Sequence, residues 1–259
     1  LANGLEFAGK GIGYSELHRP PLISFLTSLL FRTGWVSESA LFAVDAALVF
    51  LGIIGFYKLL NLRFSAWLSF LGALFFFSFP PIIGLATTGY TDVPSVALSV
   101  WTIYFFVLAL EKDSRYHWVT WPLFTLTVLM RFTGLLLIVP LLPLLLGRAT
   151  VLRNLKDIAI GIFLSFLIAL PAFFLYYLKF GDPIFPFTHA FFAVSEPAPT
   201  ENFTLSGNVA WFLVNMKSFV LNQRLSALFP LLLAMIALGL VLRLVKLVKR
   251  TGRDLYYYL

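Results

Sequence analysis

The chain has 259 residues, 60% of them hydrophobic and only 12% charged, with a mean hydropathy of +0.91. A soluble domain carries about 25% charge, so this composition excludes one and predicts an all-α, polytopic transmembrane helical bundle. The net charge of +7 does not imply nucleic acid, because the basic residues fall between apolar runs as positive loops against anionic lipid. The absence of cysteine excludes disulfides and thiolate metal sites.

The first residues, Leu1 to Glu6, have no basic region and no apolar core, so they are not a signal peptide. The chain reads as a fragment of a longer protein, a single transmembrane domain over 1–259. Residues 1–39 form a first extracytoplasmic loop. Within it, residues 20–31 are apolar but too short to span, and fit an interfacial helix opened by Pro20 and Pro21. A spanning helix needs roughly 20 apolar residues, which predicts spans over 40–60, 64–86, 93–110, 155–178 and 227–245. Residues 179–226 form an extracytoplasmic loop and 227–259 a last span with a basic cytoplasmic loop. That outer loop opens with the turn signal Lys179-Phe180-Gly181-Asp182-Pro183 and holds the sequon Asn202-Phe203-Thr204.

Residues 118–146 decide the topology, because Arg131 lies near their middle. One long helix would place Arg131 near the bilayer centre and move the next basic loop outside. Two short helices meeting at Arg131-Phe132-Thr133-Gly134 keep it inside. The cytoplasmic loops 58–63, 111–117, 147–156 and 243–253 then hold 12 of the 19 Lys and Arg, as the positive-inside rule requires. Each arm is about 14 residues, or roughly 21 Å of helix, against a hydrocarbon core of about 30 Å. The turn is therefore recessed, and needs a polar cavity or surrounding protein.

The ionisable residues inside or at the membrane are the candidates for function. They form two polar islands on the same, extracytoplasmic side: Glu16-Leu17-His18-Arg19-Pro20-Pro21-Leu22 and Gly89-Tyr90-Thr91-Asp92. Asp92 is the acidic candidate, and it also suits an N-cap with Pro94 just inside the helix. His18 and Arg19 suit a phosphate, or an interfacial anchor. Glu16 can orient His18, bind a hydroxyl, or simply be solvated. Arg131 is the basic candidate, serving a ligand or pairing with Asp45 or with carbonyls inside the bundle. Asp157 reads as a cytoplasmic boundary charge, and His189 as a surface residue. Three scattered histidines make no metal motif, and there is no phosphate-binding loop, dinucleotide fingerprint or nucleophile elbow.

Taken in order, His18-Arg19-Pro20-Pro21-Leu22, Tyr90-Thr91-Asp92 and Arg131-Phe132-Thr133-Gly134-Leu135-Leu136 resemble the GT-C membrane glycosyltransferases. The branch is that of protein O-mannosyltransferases and aminoarabinose transferases. Residues 180–187 also look like a segment of uncharacterised relatives. The resemblance implies transfer of a sugar from a polyprenyl- or dolichyl-phosphate donor to an acceptor protein, glycan or lipid. The reaction lies on the extracytoplasmic face of a cell membrane, without a cofactor and with no metal indicated. Asp92 is then the catalytic acid that positions the acceptor, and Glu16, His18, Arg19, Tyr90 and Arg131 bind substrate. Two departures stand out. The family's catalytic base is an Asp expected ahead of Leu1, for which Glu6 is no convincing substitute, and the family often has Lys where this chain has Arg131. A transporter or lipid-binding module, or a non-catalytic scaffold, is the alternative reading.

Overall fold

The computed structural model describes residues 2–10, 19–86, 89–146 and 151–185. Glu16, His18, His189, the sequon and the expected span 227–245 lie outside the described residues. The chain divides into two compact units, Leu1–Phe192 and Ala193–Leu259, and everything below concerns the first.

The described residues form helices and turns, with no strand among them. In chain order the helices are α1 (Ala2–Phe7), α2 (Leu22–Arg32), α3 (Glu38–Leu60), α4 (Ala66–Phe77) and α5 (Pro80–Ala86). They continue with α6 (Asp92–Glu111), α7 (His117–Met130), α8 (Ile138–Leu146) and α9 (Val151–Phe180). Among the described residues, three helices are long and apolar enough to cross a membrane: α3, α6 and the Asn154–Phe180 part of α9. They match the expected spans 40–60, 93–110 and 155–178 to within a few residues. The apolar surface they present outward, such as Phe50, Phe163, Phe174 and Leu178, is what a bilayer rather than water solvates.

Two expected elements differ in detail. The span predicted over 64–86 is broken: α4 ends at Phe77 and α5 begins at Pro80. The Pro80-Pro81 pair explains this, since neither residue supplies an N–H to continue the ladder of α4. In the first loop α1 is an additional short helix. It is tied down by Arg32, which donates to the Phe7 carbonyl at 2.8 Å, and by Lys179, which meets Glu6 at 3.2 Å.

The hairpin expected at Arg131 is present. α7 stops at Met130, a 3-10 turn covers Phe132–Leu137, and α8 follows. Gly134 is required there, because a Cβ would lie 2.8 Å from the Thr127 carbonyl oxygen.

Contacts between helices fix their directions. A Cβ on Gly52 would meet Ala97, and one on Gly55 would meet Trp101, whose indole N–H donates to the Leu51 carbonyl at 2.9 Å. Residue numbers rise together, so α3 and α6 run parallel and in close contact. Likewise Gly161 packs on His117 while Ala172 and Tyr176 cluster with Leu129, so α7 and α9 are parallel. α7 is antiparallel to α6, with Thr102 facing Thr127 near one end and Phe106 facing His117 near the other. The starts of α3 and α6 and the finishes of α7 and α9 therefore share one end of the bundle, beside α2.

The opposite end is closed by polar ties. Arg63 pairs with Glu111. Asp157 accepts from the Ser114 hydroxyl and, at 3.0 Å, from the Trp118 indole N–H. Asp157 is thus a tie between α9 and the start of α7, more than the plain boundary charge expected from sequence. His117 is fully buried beside it, with its ring stacked on Trp121.

Candidate active site

The end where α6 begins and α7 finishes gathers the charged candidates. Gly89, with φ of +69°, turns the chain into α6 in a conformation that favours glycine. It lies against Leu41 and Phe42 of α3. Asp92 is the first residue of α6, and the preceding N-cap position is held by Thr91, which makes no side-chain cap hydrogen bond. The cap role open to Asp92 in the sequence is therefore not the one it takes. Its carboxylate instead forms an ion pair with the Arg131 guanidinium.

Arg131 caps the C-terminus of α7 with extended backbone, φ −156° and ψ 124°. Its amide still reaches the Thr127 carbonyl at 3.0 Å, and its own carbonyl accepts from the Gly134 amide at 2.8 Å. The side-chain Nε donates to the Thr133 hydroxyl at 3.0 Å. Each charge also sits at the helix end whose dipole favours it, the acid at an N-terminus and the cation at a C-terminus. The pair is only partly covered, with side chains 38% and 34% exposed, so both groups remain open to a ligand. Arg131 meets Asp92 here, rather than Asp45 or the bundle carbonyls.

Two cavities meet at this pair, and both Asp92 and Arg131 line each of them. The first, of about 490 Å³, runs along α6 past Val93, Val96 and Ser99, between Ile82 and Leu85 of α5 and Leu137 of the 3-10 turn. Its walls are largely aliphatic. The second, of about 760 Å³, is more polar and lies under the first loop, lined by Asn3, Arg19, Ser24, Tyr90 and Thr91 among others. The Tyr176 hydroxyl lies 3.5 Å from the Arg19 carbonyl, linking this loop to α9.

Four of the six residues singled out in the sequence thus surround one pair of joined cavities: Arg19, Tyr90, Asp92 and Arg131. Glu16 and His18 lie outside the described residues. Sequence reasoning missed Thr133, Asn3 and Ser95. Thr133 was within reach, being a hydroxyl two residues beyond Arg131 in a helix break. Nothing local distinguishes Asn3 or Ser95. Among the described residues no group of three or more His, Cys, Asp or Glu side chains is placed to hold a metal ion.

Comparison with known proteins gives the family of the chain. No curated protein and no solved structure matches the chain. Residues 18–177, well over half of the chain, match the family described as dolichyl-phosphate-mannose-protein mannosyltransferase. That stretch runs from the first polar island through α9 and contains the ion pair and most of the lining of both cavities. The chain therefore belongs to the dolichyl-phosphate-mannose-protein mannosyltransferase family, membrane glycosyltransferases of the GT-C type.

Proposed function

We propose that this chain moves a sugar from a polyprenyl- or dolichyl-phosphate donor to an acceptor on the extracytoplasmic side of the membrane. The observation that carries the reading is the Asp92–Arg131 pair at the junction of a mostly apolar cavity and a more polar one. A lipid-linked sugar has those same two parts. The aliphatic cavity along α6 suits the isoprenoid, and the polar cavity suits the sugar and the acceptor. The phosphate between them falls at Arg131.

The chemistry follows from the charges. An acceptor hydroxyl attacks the anomeric carbon, a new C–O bond forms, and the bond from that carbon to the phosphate oxygen breaks. The lipid phosphate leaves with the electron pair and gains negative charge. Arg131 and Arg19 stabilise that charge as fixed cations, and guanidinium keeps its proton throughout. Asp92 accepts the acceptor's O–H and orients it. The hydroxyl proton goes to Asp92, the carboxylate that lines both cavities.

In the resting protein Arg131 and Asp92 neutralise each other, so donor and acceptor each expose the residue the other needs. The test is sugar transfer from a panel of polyprenyl-phosphate sugars in membranes carrying wild type, Asp92→Asn or Arg131→Ala. Transfer by wild type that collapses in both variants at normal protein levels supports the assignment. Unchanged transfer in both removes these residues from the mechanism, and no transfer from any donor removes the donor class.

A further inference from the structure

One carboxylate near the site has no role in the mechanism above. Asp45 lies on α3 at 2% exposure, and neither oxygen has a hydrogen-bond partner among the described residues. A carboxyl group taken out of water without a partner either keeps its proton or awaits a cation. Its helix leads to the cations at this end of the bundle. Leu41, one turn before Asp45, lines the polar cavity together with Arg19 and Arg131. Leu48, one turn after, packs in a cluster with Ile23 and Met130, the residue adjoining Arg131. Positions 41, 45 and 48 share one face of a helix. Asp45 is therefore bracketed on both sides by contacts to the surroundings of Arg131.

We infer that Asp45 is a second seat for Arg131. When a lipid phosphate draws Arg131 away from Asp92, the guanidinium turns one edge to the phosphate and another to Asp45. Its five N–H donors, arranged as a planar fork, can bridge two anions in this way. Asp92 is then released to hold the acceptor, and the buried acid gains the partner it lacks in the resting protein. Asp45 touches no reacting atom and acts as a positioning residue. The inference rests on the donor reading above. Arg19 shares the cavity wall and is the rival cation.

The test is binding of a polyprenyl monophosphate to the full chain in lipid nanodiscs. The set comprises wild type, Asp45→Asn, Arg131→Met, Arg19→Met, and Asp45→Asn combined with each arginine variant. Melting temperature without ligand is read on the same samples. Asp45→Asn should melt at or above wild type, because it removes an unpartnered buried acid. It should also bind about tenfold more weakly, the loss of one charge-assisted hydrogen bond. In the Arg131→Met background the same substitution should change binding no further, whereas in Arg19→Met it should retain its effect. Melting and affinity falling together in Asp45→Asn would reduce Asp45 to a packing role and overturn the inference. So would a loss that persists without Arg131, or one that vanishes only without Arg19. Unchanged binding in Asp45→Asn beside lost binding in Arg131→Met overturns the inference alone. No saturable binding by wild type overturns it together with the donor reading.

Discussion

Replacing Arg131 by Lys separates charge from geometry at the site. In the resting protein the guanidinium divides its donors, Nη1 to Asp92 and Nε to the Thr133 hydroxyl at 3.0 Å. A lysine ammonium is a single point charge and cannot serve both partners in that planar arrangement. Arg131→Lys therefore keeps the attraction for phosphate but gives up the charge-assisted Thr133 bond and the fixed orientation, about 1.5 kcal/mol. That corresponds to roughly tenfold in kcat/KM, at about 1.4 kcal/mol per tenfold. Arg131→Ala removes the charge proposed to oppose the leaving phosphate, about 3–4 kcal/mol by analogy with oxyanion donors, or a few hundredfold. Thr133→Val should reproduce the lysine effect, because it removes the same bond from the other side. The assay is initial-rate sugar transfer from a polyprenyl-phosphate sugar in membranes, with protein level measured by blotting. If Arg131→Lys proves as inactive as Arg131→Ala while Thr133→Val is unaffected, the Thr133 bond does not position the guanidinium, and the reasoning from this bond fails.

Two glycines give predictions about the scaffold. A Cβ on Gly134 would sit 2.8 Å from the Thr127 carbonyl oxygen, a backbone atom that cannot swing aside. Gly134→Ala should therefore shift the turn carrying Arg131 and lower transfer about tenfold or more, by the sensitivity of catalysis to ~1 Å displacements, while the detergent melting temperature falls only slightly. At the opposite end a Cβ on Gly161 would lie 2.3 Å from the His117 carbonyl oxygen. Gly161→Ala should force α7 and α9 apart at a cost of about 1–3 kcal/mol, as for other overpacked contacts, read as a clear fall in melting temperature. A Gly161→Ala protein as stable as wild type would mean that the two helices do not meet there.

The parts of the fold that were legible in the sequence are those written in local composition. The apolar runs of α3, α6 and α9 mark themselves to within a few residues, since lipid demands uninterrupted length. The break at Arg131 was legible because the distribution of basic loops favoured two short helices over one long one. The break at Pro80-Pro81 was equally visible in residues but was overridden by the length of the apolar run around it. Pairing was not legible. Asp92 and Arg131 are 39 positions apart, and nothing in either neighbourhood names the other; Asp45 was the acidic partner the sequence offered, and packing of the helices brings Asp92 instead. The same limit hid Asn3 and Ser95, ordinary polar residues made into cavity lining by the fold alone.

The tight seam between α3 and α6 gives the two acids and the cation unequal mechanical standing. Gly52 and Gly55 bring those helices so close that added atoms would strike Ala97 and Trp101, and interiors packed to that density transmit force rather than absorb it. Asp45 and Asp92 ride on this one stiff frame. Arg131 hangs instead from a joint, an extended residue followed by a 3-10 turn, the kind of interruption at which helical hairpins bend. On the proposed reading, substrate traffic at this site is registered by one arm moving against a fixed ruler with two graduations.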